Sequence, residues 1–135
     1  MLRRLRVDNF KSLINVVFEP NGVNMLTGRN NSGKTTLCQA INFLRLSTCL
    51  PISEAAGSAT KDVWNLTNVY LKKDIITLEC ACDLLLEEHQ YQYSYSLIFR
   101  AKPQPMPGSF ERECSLQEER LTISGGEFGT ETILM

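Results

Sequence analysis

Val23-Asn24-Met25-Leu26-Thr27-Gly28-Arg29-Asn30-Asn31-Ser32-Gly33-Lys34-Thr35-Thr36 is the stretch on which the reading of this chain turns. Gly28 to Thr35 fits G-x-x-x-x-G-K-[ST] without a mismatch, which chance produces in well under about one chain in a hundred of this length. The apolar run 23–27 reads as a short buried strand feeding the loop. From Gly33 the period changes, because Leu37, Ala40, Ile41 and Leu44 recur at helical spacing and predict a helix over 33–46. A strand before the motif and a helix after it form the context such a loop requires.

The chemistry follows from the residue types. Gly28 and Gly33 allow backbone angles that turn successive N–H groups inward around an anion. Asn30, Asn31, Ser32, Gly33, Lys34, Thr35 and Thr36 supply donors at the positive end of the helix. Lys34 is the candidate catalytic cation, placed on the β- and γ-phosphates of a nucleoside triphosphate, ATP in this reading. The Thr35 hydroxyl is the candidate Mg²⁺ ligand.

Outward from the loop, residues 2–9 read as a strand with Leu5 and Val7 on one face, and 13–19 as a second. Pro20-Asn21-Gly22 is turn chemistry. Ser53 to Asp62 is small and polar and reads as a surface loop. Strands are predicted at Ile75–Leu86 and Tyr91–Arg100, and around Phe110–Leu116 and Leu121–Ser124, with a further strand after Gly126. Short connections favour antiparallel pairing. Tyr91, Tyr93 and Tyr95 alternate with polar residues, as on a sheet face packed against a core. The expected fold is α/β: a P-loop strand, loop and helix flanked by an antiparallel meander. Its parts are 1–50 (strands, loop and helix), 51–73 (surface loop and connector) and 74–135 (antiparallel β-subdomain).

Composition narrows the classes. The 135 residues carry 14 basic and 15 acidic side chains, for a net charge of −1. That balance excludes a strongly basic protein holding nucleic acid by bulk electrostatics. No apolar stretch approaches the length of a membrane span, and no apolar run follows Met1–Arg6, so the expected location is cytoplasmic. The five cysteines, Cys38, Cys49, Cys80, Cys82 and Cys114, lack metal or redox spacing and read as small buried residues.

Leu5-Arg6-Val7-Asp8-Asn9-Phe10-Lys11-Ser12-Leu13, then Gly22 to Gly28, the loop, and Leu37 to Leu44 together resemble the N-terminal part of an ABC-type ATPase head. The group is RecF/SMC-like, and the Asn31-Ser32-Gly33-Lys34 form of the loop (its Walker A), with a second Asn at 30, is similar to the OLD-like ATPases of DNA repair and phage defence. The resemblance is specific over 2–46. It implies ATP and Mg²⁺ as cofactors, the rest of the head and a second head as partners, and action on DNA by the whole protein.

Two segments imitate the missing parts of such a head. Leu84-Leu85-Leu86-Glu87-Glu88 imitates a Walker B, but leads at once into another strand. Ile123-Ser124-Gly125-Gly126-Glu127 imitates the signature motif, but the β-branched residues after it favour a hairpin turn. The glutamine that lines the nucleotide site in similar heads is open among Gln90, Gln92, Gln104 and Gln117. Arg3, Arg4, Arg6 and Lys11 either approach the nucleotide or form a solvated strand edge. Turnover is expected of a complete head rather than of these residues alone. Two other classes stay open, a stand-alone small P-loop kinase or GTPase and a non-catalytic nucleotide-binding interaction module.

Overall fold

The computed structural model describes residues 1–60, 65–101, 114–125 and 130–134. Among these residues six strands form one sheet: β1 (Leu2–Asp8), β2 (Val16–Phe18), β3 (Ile75–Leu86), β4 (His89–Ala101), β5 (Cys114–Gly125) and β6 (Thr130–Leu134). Their order is β2-β1-β3-β4-β5-β6, and every neighbouring pair is antiparallel. Two helices, α1 (Lys34–Ser47) and α2 (Ile52–Thr60), accompany it.

Alternation explains the sheet. Leu5 and Val7 on β1, Ile76 and Leu78 on β3, and Leu97 and Phe99 on β4 are all buried, while Arg4 and Arg6 lie on the opposite face. Against that apolar face α1 sets Leu37, Ala40, Phe43 and Leu44, and α2 sets Ala55 and Ala56. Phe43 is the hinge of the packing, with ring centroids 5.9 Å from Phe10 and 5.1 Å from Phe99.

Three expectations are corrected here. Residues 23–27 join no strand, and Val23 is 102% and Met25 86% exposed. An apolar run becomes a strand only when it pairs with an edge, and residues 23–27 pair with no strand among the described residues. Residues 52–60 form α2 where a loop was expected. The Pro51 carbonyl accepts the Glu54 and Ala55 N–H groups at 2.9 Å each, and the small side chains Ala55 and Ala56 let the helix approach closely. The buried stripe of α1 includes Phe43 in place of Ile41, which is 39% exposed. At 3.6 residues per turn, Phe43 and Ile41 flank the Leu37–Ala40–Leu44 stripe on opposite sides, and the helix is turned so that the Phe43 side meets the sheet.

The second half follows its patterning closely. β3 runs over the expected Ile75–Leu86, β4 extends the expected strand by two residues before and one after, and β5 is one continuous strand rather than two. The expected start at Phe110 lies outside the described residues. Tyr95 packs against the core, and Tyr91 and Tyr93 continue the same face half-exposed, 6.4 Å apart.

Candidate phosphate-binding site

Gly33 starts the site. It is the residue before α1, at φ +90°, with no side chain capping the helix, and its carbonyl accepts the Leu37 N–H at 2.8 Å. Glycine suits this left-handed angle; any other residue would be strained in it. The N–H groups of Lys34, Thr35 and Thr36 therefore enter the helix with no acceptor one turn back. The first turn contains no acidic residue, so nothing within it offsets the positive end of the helix.

Lys34 folds back over the loop that precedes it. Its ammonium donates to the Gly28 carbonyl at 2.7 Å, the Arg29 carbonyl at 2.8 Å and the Ser32 hydroxyl at 3.1 Å. A Cβ at Gly28 would stand 3.0 Å from the Ser32 Oγ, so the loop is as tight as its glycine permits. Asn31 takes φ +66°, an angle asparagine tolerates better than most residues.

Around this loop lies a cavity of about 630 Å³, lined by Lys11, Ser12 and every residue from Asn30 to Thr36. Lys11 and Ser12 arrive from the turn after β1. Phe10 and Leu13 close that turn reciprocally, N–H to carbonyl at 3.2 and 2.9 Å, which leaves Lys11 and Ser12 at its tip. The Ser12 and Thr36 hydroxyls are 3.2 Å apart, and the Lys11 ammonium donates to the Gln39 side-chain carbonyl at 3.5 Å. Among the described residues the lining holds two ammonium groups, four hydroxyls and the helix N-terminus, and no carboxylate. Such a donor set suits a polyanion.

A triphosphate fits what these residues provide. A divalent cation would have the Thr35 hydroxyl, the candidate ligand, in the same lining, and would take the rest of its oxygen shell from phosphate and water.

Seven of the eight proposed binding residues line this cavity, and Gly28 stands behind them as an acceptor for Lys34. The basic N-terminus divides. Lys11 reaches the cavity, while Arg3, Arg4 and Arg6 pair with Asp83, Glu19 and Glu79 at 3.4, 3.6 and 3.5 Å. Glu87 and Glu88 occupy the turn between β3 and β4 at φ +47° and +70°, and Leu85 beside them is 70% exposed. They are a hairpin tip and do not line the cavity. Ile123, Ser124 and Gly125 belong to β5, and Ser124 pairs with Thr130 of β6, as a hairpin requires; Gly126 and Glu127 lie outside the described residues. Gln90, Gln92 and Gln117 are exposed and do not line the cavity, and Gln104 lies outside the described residues.

Sequence reasoning missed Ser12 and Gln39. Gln39 lies three residues after Thr36 on α1, a spacing that puts both on one side of the helix and was available as a signal.

Away from the site, burial and then Cys82 push the Cys80 thiol up to about 11. Burial, then the hydrogen bond to Glu119 at 2.5 Å, raises the Tyr95 phenol. Both groups are neutral at pH 7.

Comparison with known proteins gives the class, an ATPase family. The AAA ATPase domain family matches residues 1–114, and the chain belongs to that family. It is also similar to the DNA replication and repair protein RecF of Cellvibrio japonicus, with 50% identity over 46 residues. That alignment covers 33% of this chain and 13% of that protein. The RecF-like resemblance read from residues 2–46 therefore stands. Among the described residues no helix is long and apolar enough to cross a membrane.

Proposed function

We propose that this chain binds Mg-ATP through the loop Gly28–Gly33 and the first turn of α1, as the nucleotide-holding lobe of a RecF-like ATPase. The carrying observation is the Lys34 ammonium, satisfied by three loop acceptors beside helix N–H groups that have no intrahelical partner. On binding, Lys34 exchanges those acceptors for phosphate oxygens, and the exposed loop carbonyls turn to water. The donors of Asn31 to Thr36 wrap the phosphate chain, and Lys11 supplies a second cation from the opposite wall. Thr35 would hold a magnesium ion through its hydroxyl, and the ion would supply charge neutralisation on the phosphates.

Hydrolysis belongs to a complete head in this reading, because among the described residues no carboxylate lines the cavity to hold the metal or polarise water. The remainder of the head and a second head are the proposed partners, and ATP-gated action on DNA, in repair or phage defence, is the proposed setting. The RecF likeness supports that setting. The exposed run Val23–Leu26 supports a further covering element.

Calorimetric titration with ATP and GTP, with and without Mg²⁺, tests the proposal. Saturable ATP binding strengthened by Mg²⁺ is expected. Equal affinity for GTP would remove the adenine assignment, and no binding of either would remove the proposal.

A further inference from the structure

Asn9 is a polar side chain with 0% exposure in the middle of the apolar packing, and its neighbours explain its presence. Its amide nitrogen donates to the Lys73 carbonyl at 3.0 Å and the Ile75 carbonyl at 2.8 Å. Its amide oxygen accepts the Asn68 N–H at 3.0 Å. Asn68, 6% exposed, in turn donates from its side chain to the Lys11 carbonyl at 2.6 Å and accepts the Tyr70 N–H at 2.9 Å. The Lys11 N–H goes to the Leu66 carbonyl at 2.7 Å. Both backbone polar groups of Lys11 are thus held by the segment 66–68, and that segment is held by Asn9.

A buried amide network of this kind fixes geometry, because any member left unpaired costs its full desolvation. What it fixes here is a residue at φ +52°, an angle a lysine adopts only under restraint. From that fixed point the Lys11 side chain reaches the cavity lined by Lys34. The Asn68 side chain holds the carbonyl of this cavity cation, the Leu66 carbonyl holds its N–H, and Asn9 holds the segment that carries both.

We propose that Asn9 and Asn68 are positioning residues that aim Lys11 at the bound phosphates, so that nucleotide binding and the ordering of residues 66–75 are thermodynamically linked. The inference rests on the nucleotide-binding reading above and deepens it. Asn68 and Asn9 touch no ligand; they act through Lys11. Linkage is reciprocal: if the clamp strengthens ATP binding, ATP binding tightens the clamp.

The experiment is a double-mutant cycle with ATP titration on the whole chain: wild type, Lys11→Ala, Asn68→Ala and the double variant. Asn68→Ala keeps its own backbone N–H to Asn9 and removes only the bonds to Lys11 and Tyr70. It is expected to weaken ATP about three- to tenfold in the wild-type background and under about twofold beside Lys11→Ala. Equal losses in the two backgrounds, or no loss in wild type, would overturn the inference while leaving nucleotide binding intact. A wild-type chain that binds no ATP would instead remove the underlying reading, and the inference with it.

Amide hydrogen exchange provides a second readout that needs no destabilised variant. Saturating ATP is expected to slow exchange at Lys11 and Asn68 in the wild type and to leave both unchanged in Lys11→Ala. ATP-bound wild type with unaltered exchange at these two amides would contradict the linkage.

Discussion

Gly33→Ala tests the geometry of the site through a single methyl group. Gly33 sits at φ +90°, and a left-handed angle costs a residue with a Cβ roughly 1–2 kcal/mol. The added Cβ would also stand 3.1 Å from the Leu13 Cδ2, a close contact with a buried side chain that has to give by a few tenths of an ångström. Together these predict a loss of about 1–2 kcal/mol, or roughly 3–8 °C in melting temperature for a domain of this size. Gly33→Asn meets the same contact but tolerates the angle better, and is expected to recover part of the loss. The two are separated by urea unfolding followed by circular dichroism, with slopes compared to confirm unchanged compactness. ATP affinity measured on the same samples should fall in Gly33→Ala, because a helix start that relaxes toward negative φ no longer points its N–H groups into the cavity. If Gly33→Ala is as stable as wild type, or Gly33→Asn is no better than Gly33→Ala, the argument from the backbone angle is wrong.

Other expectations can be checked separately. Phe43→Ala empties the centre of the Phe10–Phe43–Phe99 contact and should cost about 3–5 kcal/mol, against under about 1 kcal/mol for the half-exposed Ile41→Ala, by the same unfolding assay. Iodoacetamide at pH 8 should label exposed Cys38 and Cys49 well before Cys80, whose thiol is raised to about 11; mass mapping that finds Cys80 modified first would contradict its burial. The same shift carries a sign. Cys80 keeps its proton longer folded than unfolded, so its contribution is intact below its ordinary 9.0 and is lost as pH climbs toward about 11. A melting temperature that rises over that interval would refute this.

The parts of the fold that the sequence made legible are those whose burial is decided by neighbours in the chain. β1 alternates Leu5 and Val7 with charged residues, Tyr91 to Ser96 of β4 alternate in the same way, β3 is an apolar run bounded by a turn, and α1 repeats Leu37, Ala40 and Leu44 at helical spacing. The failures depend on partners distant in sequence. Val23 to Leu26 has strand composition, but nothing in an apolar run says whether an edge will be there to receive it. Ile52–Thr60 looks polar and small, and becomes a helix because Ala55 and Ala56 can press against the core. At the site, the loop was legible because its motif is local, eight residues from Gly28 to Thr35. Lys11 was legible only as one of two alternatives. The clamp that holds it was not visible, since Asn9 and Asn68 are 59 residues apart.

The central claim is that Lys34 makes this loop a nucleotide site rather than a glycine-rich turn. Its direct test is a calorimetric titration of Mg-ATP into the wild type and into Lys34→Ala, after both are shown to melt alike. Loss of one charge-assisted contact predicts affinity weaker by about 10- to 100-fold in the variant. A variant that binds Mg-ATP as tightly as the wild type would contradict the account.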